Sequence, residues 1–268
     1  MIAHQKTLGV YMRGITLSLD GSNALVTGAS SGLGIFLAEA LDAAGASVAI
    51  HYHDNKRGAE ELASRLSNPS VVIQANLGEL ADVSLLFNKA TEAIGPLDVL
   101  VNCAAAESQN VSDLADISDN LWSNTMMTNV DAPMLLTQLF SAQETLAKNS
   151  GGSIINISSI EGSRPANGHS HYATSKAALE MLTKASALEF GTRGIRVNAI
   201  APGLINREGI EEGWPEGVTA WKAAAPLGRL VDPNDIANTC VFLASPMSSS
   251  ISGTVLTIDC GLSIKPGW

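Results

Sequence analysis

Short runs of β-branched and other apolar residues alternate with longer amphipathic segments from about residue 23 to the end of the chain. The short runs lack strict polar–apolar alternation, which is typical of strands buried on both faces. The predicted strands cover 23–27, 47–52, 70–75, 98–102, 153–158, 195–200 and 254–258. The predicted helices cover 33–44, 57–67, 80–94, about 118–147, 171–190 and 233–244. This order predicts one doubly wound α/β domain, with a seven-stranded parallel sheet flanked by helices on both faces.

Two segments lie outside this alternation. Residues 1–20 precede the first predicted strand and are expected to form an N-terminal tail, so the domain itself covers 21–268. Residues 204–228 form a long insertion between the sixth strand and the last helix. No linker, charge block or internal repeat divides the rest of the chain.

Composition narrows the class of protein. The 268 residues are 46% hydrophobic and carry 16 basic against 26 acidic side chains, a formal charge of −10, so we expect no nucleic-acid partner. No apolar run reaches the roughly 18–20 residues that span a bilayer, and we expect neither a membrane partner nor a secretory signal. Cys103, Cys240 and Cys260 lack metal-ligand spacing, which indicates reduced thiols in a cytoplasmic protein without a metal.

The turn after the first predicted strand has the spacing G-x-x-x-G-x-G and leads into a helix. Glycines there let backbone N–H groups approach a phosphate, and the helix N-terminus favours an anion. The pattern therefore predicts a dinucleotide phosphate site, although a tight strand-to-helix loop without a ligand would read the same. The candidate cofactor residues of this turn are Gly28, Ser30, Ser31, Gly32, Leu33 and Gly34.

The end of the second predicted strand bears on which dinucleotide is bound. A carboxylate there would hold the ribose 2′-hydroxyl of NAD, whereas basic or polar groups accommodate the 2′-phosphate of NADP. The strand ends at Tyr52 without a carboxylate, and His53, Lys56 and Arg57 follow, so we favour NADP(H) over NAD(H). Counting residues from the glycines also reaches Asp54, so NAD stays an alternative.

Tyr172 and Lys176 are four residues apart in a predicted helix and so lie on one face. A nearby ammonium lowers the pKa of a phenol, which suits the pair to acid–base chemistry on a carbonyl or alcohol oxygen. Ser159 ends the fifth predicted strand, at the sheet edge where ligands bind, and its hydroxyl could bond a substrate oxygen. The alternatives are that Tyr172 and Lys176 lie on an exposed helix face without a catalytic role, and that Ser159 only stabilises the turn at the end of its strand.

Several motifs fall in one register over about residues 22–264. They are TGASSGLG (27–34), NCAA (102–105), TNVDAP around Asn129, NISS (156–159), YATSK (172–176), RVNAIAPG (196–203) and SGTVLTIDCG (252–261). Together they resemble the short-chain dehydrogenase/reductase family, compact single-domain type with a Rossmann fold. Within it the chain is similar to NADPH-dependent ketoreductases of aromatic polyketide biosynthesis and to pteridine reductases.

The resemblance implies a catalytic tetrad of Asn129, Ser159, Tyr172 and Lys176. Tyr172 would give a proton to the carbonyl oxygen that Ser159 holds, Lys176 would bind the nicotinamide ribose, and Asn129 would anchor a water linking Lys176 to solvent. It also implies cofactor contacts from several further positions. With the turn residues above, the expected contacts are Tyr52, His53, Asn76, Leu77, Asn102, Ala104, Ala105, Tyr172, Lys176, Pro202, Gly203 and Ile205.

The chain departs from the family pattern at three places. Cys103 and Ala105 stand in the usual N-N-A-G, and Ala105 restricts a backbone that glycine would leave free. Asn206 and Arg207 lie where a Thr that contacts the nicotinamide amide is common. Cys260 replaces the first Gly of a D-G-G near the end.

In this family the segment after Pro-Gly is a lid, here about 204–228. Its indoles, Trp214 and Trp221, suit a flat apolar substrate, and we expect Ser159, Tyr172 and Trp214 to contact it. The main hypothesis is NADP(H)-dependent reduction of a bulky aromatic or polycyclic ketone. The alternatives are an NAD-linked alcohol dehydrogenase, a pteridine-type reductase of a C=N bond, and a catalytically silent dinucleotide-sensing protein. The resemblance also implies a homo-oligomer, a tetramer or a dimer.

Overall fold

A computed structural model describes residues 10–12, 15–106, 110–144 and 151–264 of the protein. Two antiparallel strands come first, β1 (Val10–Met12) and β2 (Ile15–Leu17). The main sheet holds seven parallel strands, as predicted, and their order in the sheet is β5-β4-β3-β6-β7-β8-β9. They are β3 (Asn23–Val26), β4 (Ser47–Tyr52), β5 (Ser70–Gln74), β6 (Val99–Asn102), β7 (Ser153–Ile157), β8 (Arg196–Pro202) and β9 (Val255–Ile258).

Helices connect the strands and cover the sheet. They are α1 (Leu33–Ala43), α2 (Lys56–Ala63), α3 (Leu80–Ile94), α4 (Asp119–Met126), α5 (Ala132–Ser141), α6 (Ser170–Phe190), α7 (Ile210–Gly213), α8 (Pro215–Ala224) and α9 (Pro233–Ala244). The insertion at 204–228 thus contains two short helices, α7 and α8. The prediction of a doubly wound α/β fold is confirmed.

Two helix predictions were wrong in extent. The helix expected over 57–67 ends at Ala63, because the Asp42 carboxylate accepts the backbone N–H groups of Ser67 and Asn68 at 3.0 and 2.8 Å and turns the chain toward β5. The single helix expected over about 118–147 is instead α4 and α5 joined by a π-helical turn, Met127–Asp131. Residues 145–147 of that prediction lie outside the described residues.

Successive strand residues point to opposite faces of the sheet, and both faces are buried. Val26 lies in a core that includes Leu37 of α1 and Val241 of α9. Its neighbour Leu25 lies in the other core, which includes Leu86 of α3. Burial on both faces explains why these strands lack polar–apolar alternation in the sequence.

The described part of the expected N-terminal tail is attached to the domain. The hairpin of β1 and β2 stays separate from the seven-stranded sheet. Leu17 at the end of β2 and Leu19 just after it are buried in the core beside α1, and the Leu19 N–H donates to the Ala44 carbonyl at 2.7 Å. These two leucine side chains therefore hold the segment against the end of α1.

The strand order reverses between β3 and β6, which are neighbours in the sheet although β4 and β5 lie between them in sequence. In open α/β sheets, a crevice forms at the carboxyl ends of the strands at such a reversal. The first turn, the residues after β6 and those after β7 all reach this edge. Among the described residues, no helix has the length and apolar character needed to cross a bilayer.

Candidate active site

The glycine turn after β3 is bonded to a buried histidine, His51, which the sequence analysis did not select. The Gly28 N–H donates to His51 Nδ1 at 3.0 Å, and the other ring nitrogen, Nε2, lies 3.1 Å from the Ala75 carbonyl oxygen. Burial lowers the pKa of His51 to about 4, so the ring is neutral at neutral pH. Nδ1 is then the acceptor and Nε2 carries the proton. The only signal in the sequence was a histidine inside an apolar strand.

The three glycines of the turn differ in how much space a side chain would have at each position. Gly28 has φ +68°, and a Cβ there would lie 2.9 Å from Ala104 Cα. A Cβ on Gly34 would lie 2.2 Å from the Gly28 carbonyl oxygen. Gly32 has φ +54°, yet a Cβ there would meet no atom within 4 Å. The turn is therefore packed against protein at Gly28 and Gly34 and open at Gly32, at the N-terminus of α1.

The remaining turn residues are fixed by polar contacts. The Thr27 hydroxyl accepts the N–H groups of Cys103 and Ala104, at 2.9 and 3.0 Å, which joins the ends of β3 and β6. Asn55, which caps α2, donates its side-chain amide to the Ser30 carbonyl at 2.8 Å. Ser30 is buried and Ser31 exposed. Asn55 was absent from the sequence prediction, although its position before a helix could have indicated it.

The end of β4 separates the two residues predicted to hold the adenosine ribose. The Tyr52 side chain, by contrast with the prediction of a cofactor contact, is buried in the core beside α1. His53 is exposed, with Nδ1 3.3 Å from the carboxylate of Asp54, whose side chain is 88% exposed. Lys56 and Arg57, at the start of α2, form exposed i,i+4 ion pairs with glutamates one turn later.

A cleft of about 320 Å³ lies next to His53, at the expected adenine position. It is lined by His53, Gln74, Ala75, Asn76, Asp82 and Leu85. The Asn76 N–H donates to the Asp82 carboxylate at 3.1 Å, and its side-chain oxygen accepts the Gly78 N–H at 2.9 Å. The side chain of Leu77 packs in the core below. Of the predicted pair, Asn76 therefore borders the cleft.

Asn102 begins a buried chain of hydrogen bonds at the crevice. Its side-chain nitrogen donates to Asn156 Oδ1 at 2.8 Å, and Asn156 donates to the Thr183 hydroxyl at 2.9 Å. The Asn102 side-chain oxygen, although buried, has no hydrogen-bond partner among the described residues. Just beyond it, Ala104 is half-buried and Ala105 exposed.

Trp221, which the contact prediction omitted, lies against the segment after β8. A Cβ on Gly203 would lie 2.5 Å from Trp221 Cη2, so only glycine lets the indole approach this closely. The indole N–H donates to the Arg229 carbonyl at 3.2 Å. Pro202 ends β8, and Ile205 pairs with Val231 in an isolated parallel bridge. By contrast, Trp214 is 56% exposed and rests on Gly217 of its own helix segment.

Ser159, Tyr172 and Lys176 meet at this sheet edge. The Ser159 hydroxyl lies close enough to the Tyr172 hydroxyl to lower the pKa of Tyr172. The Lys176 ammonium lies 5.4 Å from the centroid of the Tyr172 ring and donates to the Ile157 carbonyl at 2.8 Å. The one-turn spacing on α6 brings the tyrosine and lysine together, and the end of β7 brings the serine.

The pKa of Tyr172 is raised in the structure, whereas the sequence analysis expected Lys176 to lower it. Burial raises this pKa first, the negative charge of Glu161 raises it further, and the Ser159 hydrogen bond opposes both. Burial also lowers the pKa of Lys176 to about 8. Tyr172 is therefore fully protonated at neutral pH in this structure, and so is a proton donor. The expectation failed because spacing along a helix does not report burial.

Asn129 lies in the π-helical turn and is buried. Its oxygen accepts the Ala106 N–H at 2.8 Å, and its nitrogen donates to the Ser175 hydroxyl at 3.0 Å. The Ser175 hydroxyl in turn donates to the Tyr172 carbonyl at 2.7 Å. Asn129 thus connects the segment after β6 to the first turn of α6, which carries Tyr172. A π-turn is often found at functional sites.

Two further side chains that the sequence analysis did not select lie beside Tyr172. His169 Nδ1 is 3.1 Å from a carboxylate oxygen of Glu161. The His169 ring stands edge-on to the Tyr172 ring, with centroids 6.5 Å apart. Only the position of Glu161, two residues after Ser159, could have suggested this pair.

A nicotinamide dinucleotide fits the residues at this edge. The open space at Gly32 leaves room for a phosphate at the start of α1. The cleft beside Asn76 has room for a base. The buried side-chain oxygen of Asn102, which has no hydrogen-bond partner among the described residues, could accept a hydrogen bond from the cofactor. Where the chain is described, no group of three or more His, Cys, Asp or Glu side chains could hold a metal ion.

Known proteins are similar to this chain in sequence and in fold. The chain is 34% identical over 260 residues to 3beta-hydroxysteroid dehydrogenase 1 of Eggerthella lenta, covering 93% of this chain and 97% of that relative. A blue fluorescent protein from a metagenomic library, solved in complex with NADPH, superposes with a TM-score of 0.85 at 32% identity, over 92% of this chain and 99% of the other. The promiscuous reductase LugOII, which catalyses keto-reduction at C1 during lugdunomycin biosynthesis, superposes with a TM-score of 0.82 at 32% identity, over 91% and 98%.

A family model described as enoyl-(acyl carrier protein) reductase matches residues 28–263. That span includes the glycine turn, Ser159, Tyr172 and Lys176, which meet at one sheet edge in the structure. The match and the 34% identical relative extend over nearly all of the chain. The chain therefore belongs to the short-chain dehydrogenase/reductase family of oxidoreductases.

Proposed function

We propose that the protein is an NADP(H)-dependent ketoreductase that converts a ketone of a bulky aromatic or polycyclic substrate into a secondary alcohol. The observation that carries the proposal is the meeting of Ser159, Tyr172 and Lys176 beside the open glycine turn. The Ser159 oxygen accepts the Glu161 N–H at 3.1 Å, so its own proton can be donated to a substrate oxygen. That hydrogen bond strengthens as negative charge develops on the oxygen.

The proposed reaction adds a proton to the carbonyl oxygen and a hydride to the carbonyl carbon. Tyr172, which burial keeps protonated, gives its proton to the oxygen held by Ser159. A nicotinamide, when bound, would supply the hydride. Lys176, whose ammonium lies 5.4 Å from the centroid of the Tyr172 ring, is placed to bind the nicotinamide ribose. Asn129 holds the first turn of α6 through Ser175.

NADP(H) is proposed because β4 ends without a carboxylate and basic side chains follow it. Lys56 and Arg57 make exposed ion pairs, which are weak and can be exchanged for contacts with a 2′-phosphate. The bound NADPH of the 32% identical neighbour supports the same cofactor. Asp54 is the one acidic side chain in this stretch, and it would favour the ribose of NAD.

The substrate proposal draws on the lid and on the relatives. Trp214 offers an exposed indole, and Trp221 lies against Gly203 beside the expected nicotinamide site. Flat apolar rings bind well against such side chains. The names of two relatives refer to a hydroxysteroid and to a keto-reduction in lugdunomycin biosynthesis, and both support a ketone on a large substrate.

We also propose that the protein is a cytoplasmic homo-oligomer, a tetramer or a dimer. Met181 and Leu188, seven residues apart on α6, are 62% and 83% exposed, and Trp122 on α4 is 38% exposed. Exposed apolar side chains grouped on neighbouring helices mark interaction surfaces. Cys103, Cys240 and Cys260 are all free thiols, which supports a reducing compartment.

The deciding experiment is titration of the purified protein with NADPH and NADH, followed by tryptophan fluorescence, and then a turnover assay with 1-tetralone. Tight binding of NADPH, weaker binding of NADH and oxidation of NADPH by the ketone would support the proposal. A preference for NADH would show that Asp54 governs the ribose. Binding of neither dinucleotide would reject the assignment of function, and binding without turnover of any carbonyl substrate would favour a sensing protein.

A further inference from the structure

Glu161 and His169 form a polar pair beside the Tyr172 side chain. The His169 Nδ1 atom contacts both carboxylate oxygens of Glu161, at 3.1 and 3.2 Å. Each side chain is 21% exposed, so the pair is accessible while being largely surrounded by protein. The His169 ring meets the Tyr172 ring edge-on at an interplanar angle of 77°. The pair therefore borders the Tyr172 side chain on the side of the His169 ring, and the Glu161 charge is close enough to raise the Tyr172 pKa.

The loop that carries the pair is fixed at several points. The Glu161 N–H is bonded to Ser159, so the carboxylate is placed relative to the substrate-binding hydroxyl. Arg164 donates to the backbone carbonyls of Leu262 and Ser263, at 3.1 and 2.6 Å. At the far end of the loop, the Gly168 carbonyl accepts the Ser112 N–H at 2.9 Å. These hydrogen bonds hold the loop in place and so fix the position of Glu161.

The chemistry of the pair suits binding better than proton transfer. A carboxylate has about four acceptor positions, and the single His169 N–H occupies only part of them. The negative charge also opposes loss of the Tyr172 proton, so it brings no advantage to the acid–base step itself. A donor group on the substrate would use the remaining acceptor positions. A hydroxyl fits better than an amine, because an ammonium would add a cation close to Lys176.

We propose that Glu161, held by His169, is a specificity-determining residue that accepts a hydrogen bond from a hydroxyl group on the carbon next to the reacting carbonyl. The substrate class is then a hydroxyketone, and the reaction a reduction to a vicinal diol. This inference rests on the proposed ketone reduction, since it names a feature of the same substrate. His169 acts through Glu161 as a positioning residue.

Three aromatic ketones that differ only at one position test the inference. They are 1-tetralone, 2-hydroxy-1-tetralone and 2-methoxy-1-tetralone, and the quantity measured is the ratio of kcat/KM values with NADPH. The ratio is informative because any change in Tyr172 acidity affects all three ketones alike. A hydrogen bond to a charged acceptor predicts that the wild type prefers the hydroxyketone by about ten- to a hundredfold over the other two.

Variants assign that preference to the pair. Glu161→Ala should bring the ratio to within about twofold of one, Glu161→Gln should leave an intermediate preference because a neutral amide still accepts, and His169→Gln should also reduce it. Glu92→Ala, an exposed glutamate on α3, is the matched control and should keep the full ratio. NADPH titration and circular dichroism confirm that each variant is folded.

The outcomes separate the inference from the function on which it rests. Reduction of all three ketones at equal kcat/KM by the wild type would overturn the inference and leave ketone reduction standing. An unchanged preference in both Glu161 variants would overturn it as well. Failure to reduce any of the three, with NADPH bound, would reject the proposed ketone reduction and the inference together.

Discussion

The backbone N–H of Gly28 donates to the imidazole of His51, 3.0 Å away across the first strand-to-helix turn. The glycine turn at the cofactor crevice is therefore bonded, through the Gly28 N–H, to a side chain that can titrate. The Gly28 N–H has an acceptor only while Nδ1 of His51 is unprotonated. Burial keeps Nδ1 unprotonated by lowering the pKa of His51 to about 4. The phosphate-binding turn is in this way coupled to the protonation of a strand residue 23 positions later in the chain.

This coupling predicts a loss of stability in mild acid. The unfolded chain binds a proton at His51 near pH 6.5 and the folded chain only near pH 4, so the stability contribution is complete above about 6.5 and is lost as the pH falls toward 4. The full loss corresponds to about 3 kcal/mol of unfolding free energy. Urea unfolding at pH 7, 5.5 and 4.5 measures it.

The control for this prediction is His51→Asn. The asparagine oxygen can accept the Gly28 N–H but does not titrate, so the difference between variant and wild type isolates the histidine from the carboxyl groups. We expect the variant to lose less stability between pH 7 and 4.5. Parallel pH dependences in the two proteins would contradict the role of His51.

Two glycine variants should separate folding from cofactor binding. Gly32→Ala adds a methyl group in open space at φ +54°, so it should cost about 1–2 kcal/mol of stability while lowering NADPH affinity by more than tenfold. Gly34→Ala would press against the Gly28 carbonyl and should prevent folding. Denaturant unfolding and fluorescence titration give the two quantities. Unchanged NADPH affinity in Gly32→Ala would show that the open turn does not hold the phosphates.

Tyr172→Phe should abolish most of the turnover and leave the cofactor bound. Loss of the proton donor predicts a fall in kcat of about 10²- to 10⁴-fold. NADPH affinity should change little, because the ring and Lys176 remain in place. Single-turnover kinetics and fluorescence titration measure the two effects. Wild-type turnover in this variant would exclude Tyr172 as the acid.

The stability contribution of Lys176 should depend on alkaline pH. Its pKa is lowered to about 8 in the folded protein, against 10.5 for the unfolded chain, so burial of its charge disfavours folding below pH 8. The unfolded chain binds more protons above pH 8, and stability therefore rises with pH there. Compared with Lys176→Met, the wild type should gain about 2 kcal/mol between pH 8 and 9.5.

Urea unfolding of both proteins at these pH values tests the prediction. The comparison uses the change with pH, since the methionine also leaves the Ile157 carbonyl without its donor at every pH. Catalysis should be lost in Lys176→Met throughout. A constant difference in stability from pH 8 to 9.5 would mean that Lys176 is not destabilised by burial.

The two lid tryptophans should respond differently to truncation. Trp214→Ala removes a side chain that is 56% exposed, so it should raise KM for polycyclic ketones with under 1 kcal/mol lost in stability. Trp221→Ala removes a ring that packs on Gly203 and the core, so it should destabilise the protein by about 2–4 kcal/mol. Thermal unfolding and ketone kinetics distinguish them. Equal effects of both variants on stability would contradict the packing difference.

The sequence by itself determined where the seven strands of the main sheet lie along the chain, and which face of α6 carries Tyr172 and Lys176. Hydrophobic runs, helix periodicity and a one-turn spacing are local properties, and all can be read along the chain. The observed strand bounds lie within two residues of the prediction for that reason. The break in the helix expected over 118–147 was hidden, because a π-turn leaves no such periodic signal.

Only the tertiary structure decided the properties of the site. The support of Gly28 by His51, the contact of Trp221 with Gly203 and the pairing of Glu161 with His169 join residues from different elements or from the two ends of a loop. The pKa of Tyr172 rises because the side chain is buried next to a carboxylate, although its lysine neighbour in sequence indicated the opposite. Burial and distance set these electrostatic terms, and both exist only once the chain has folded.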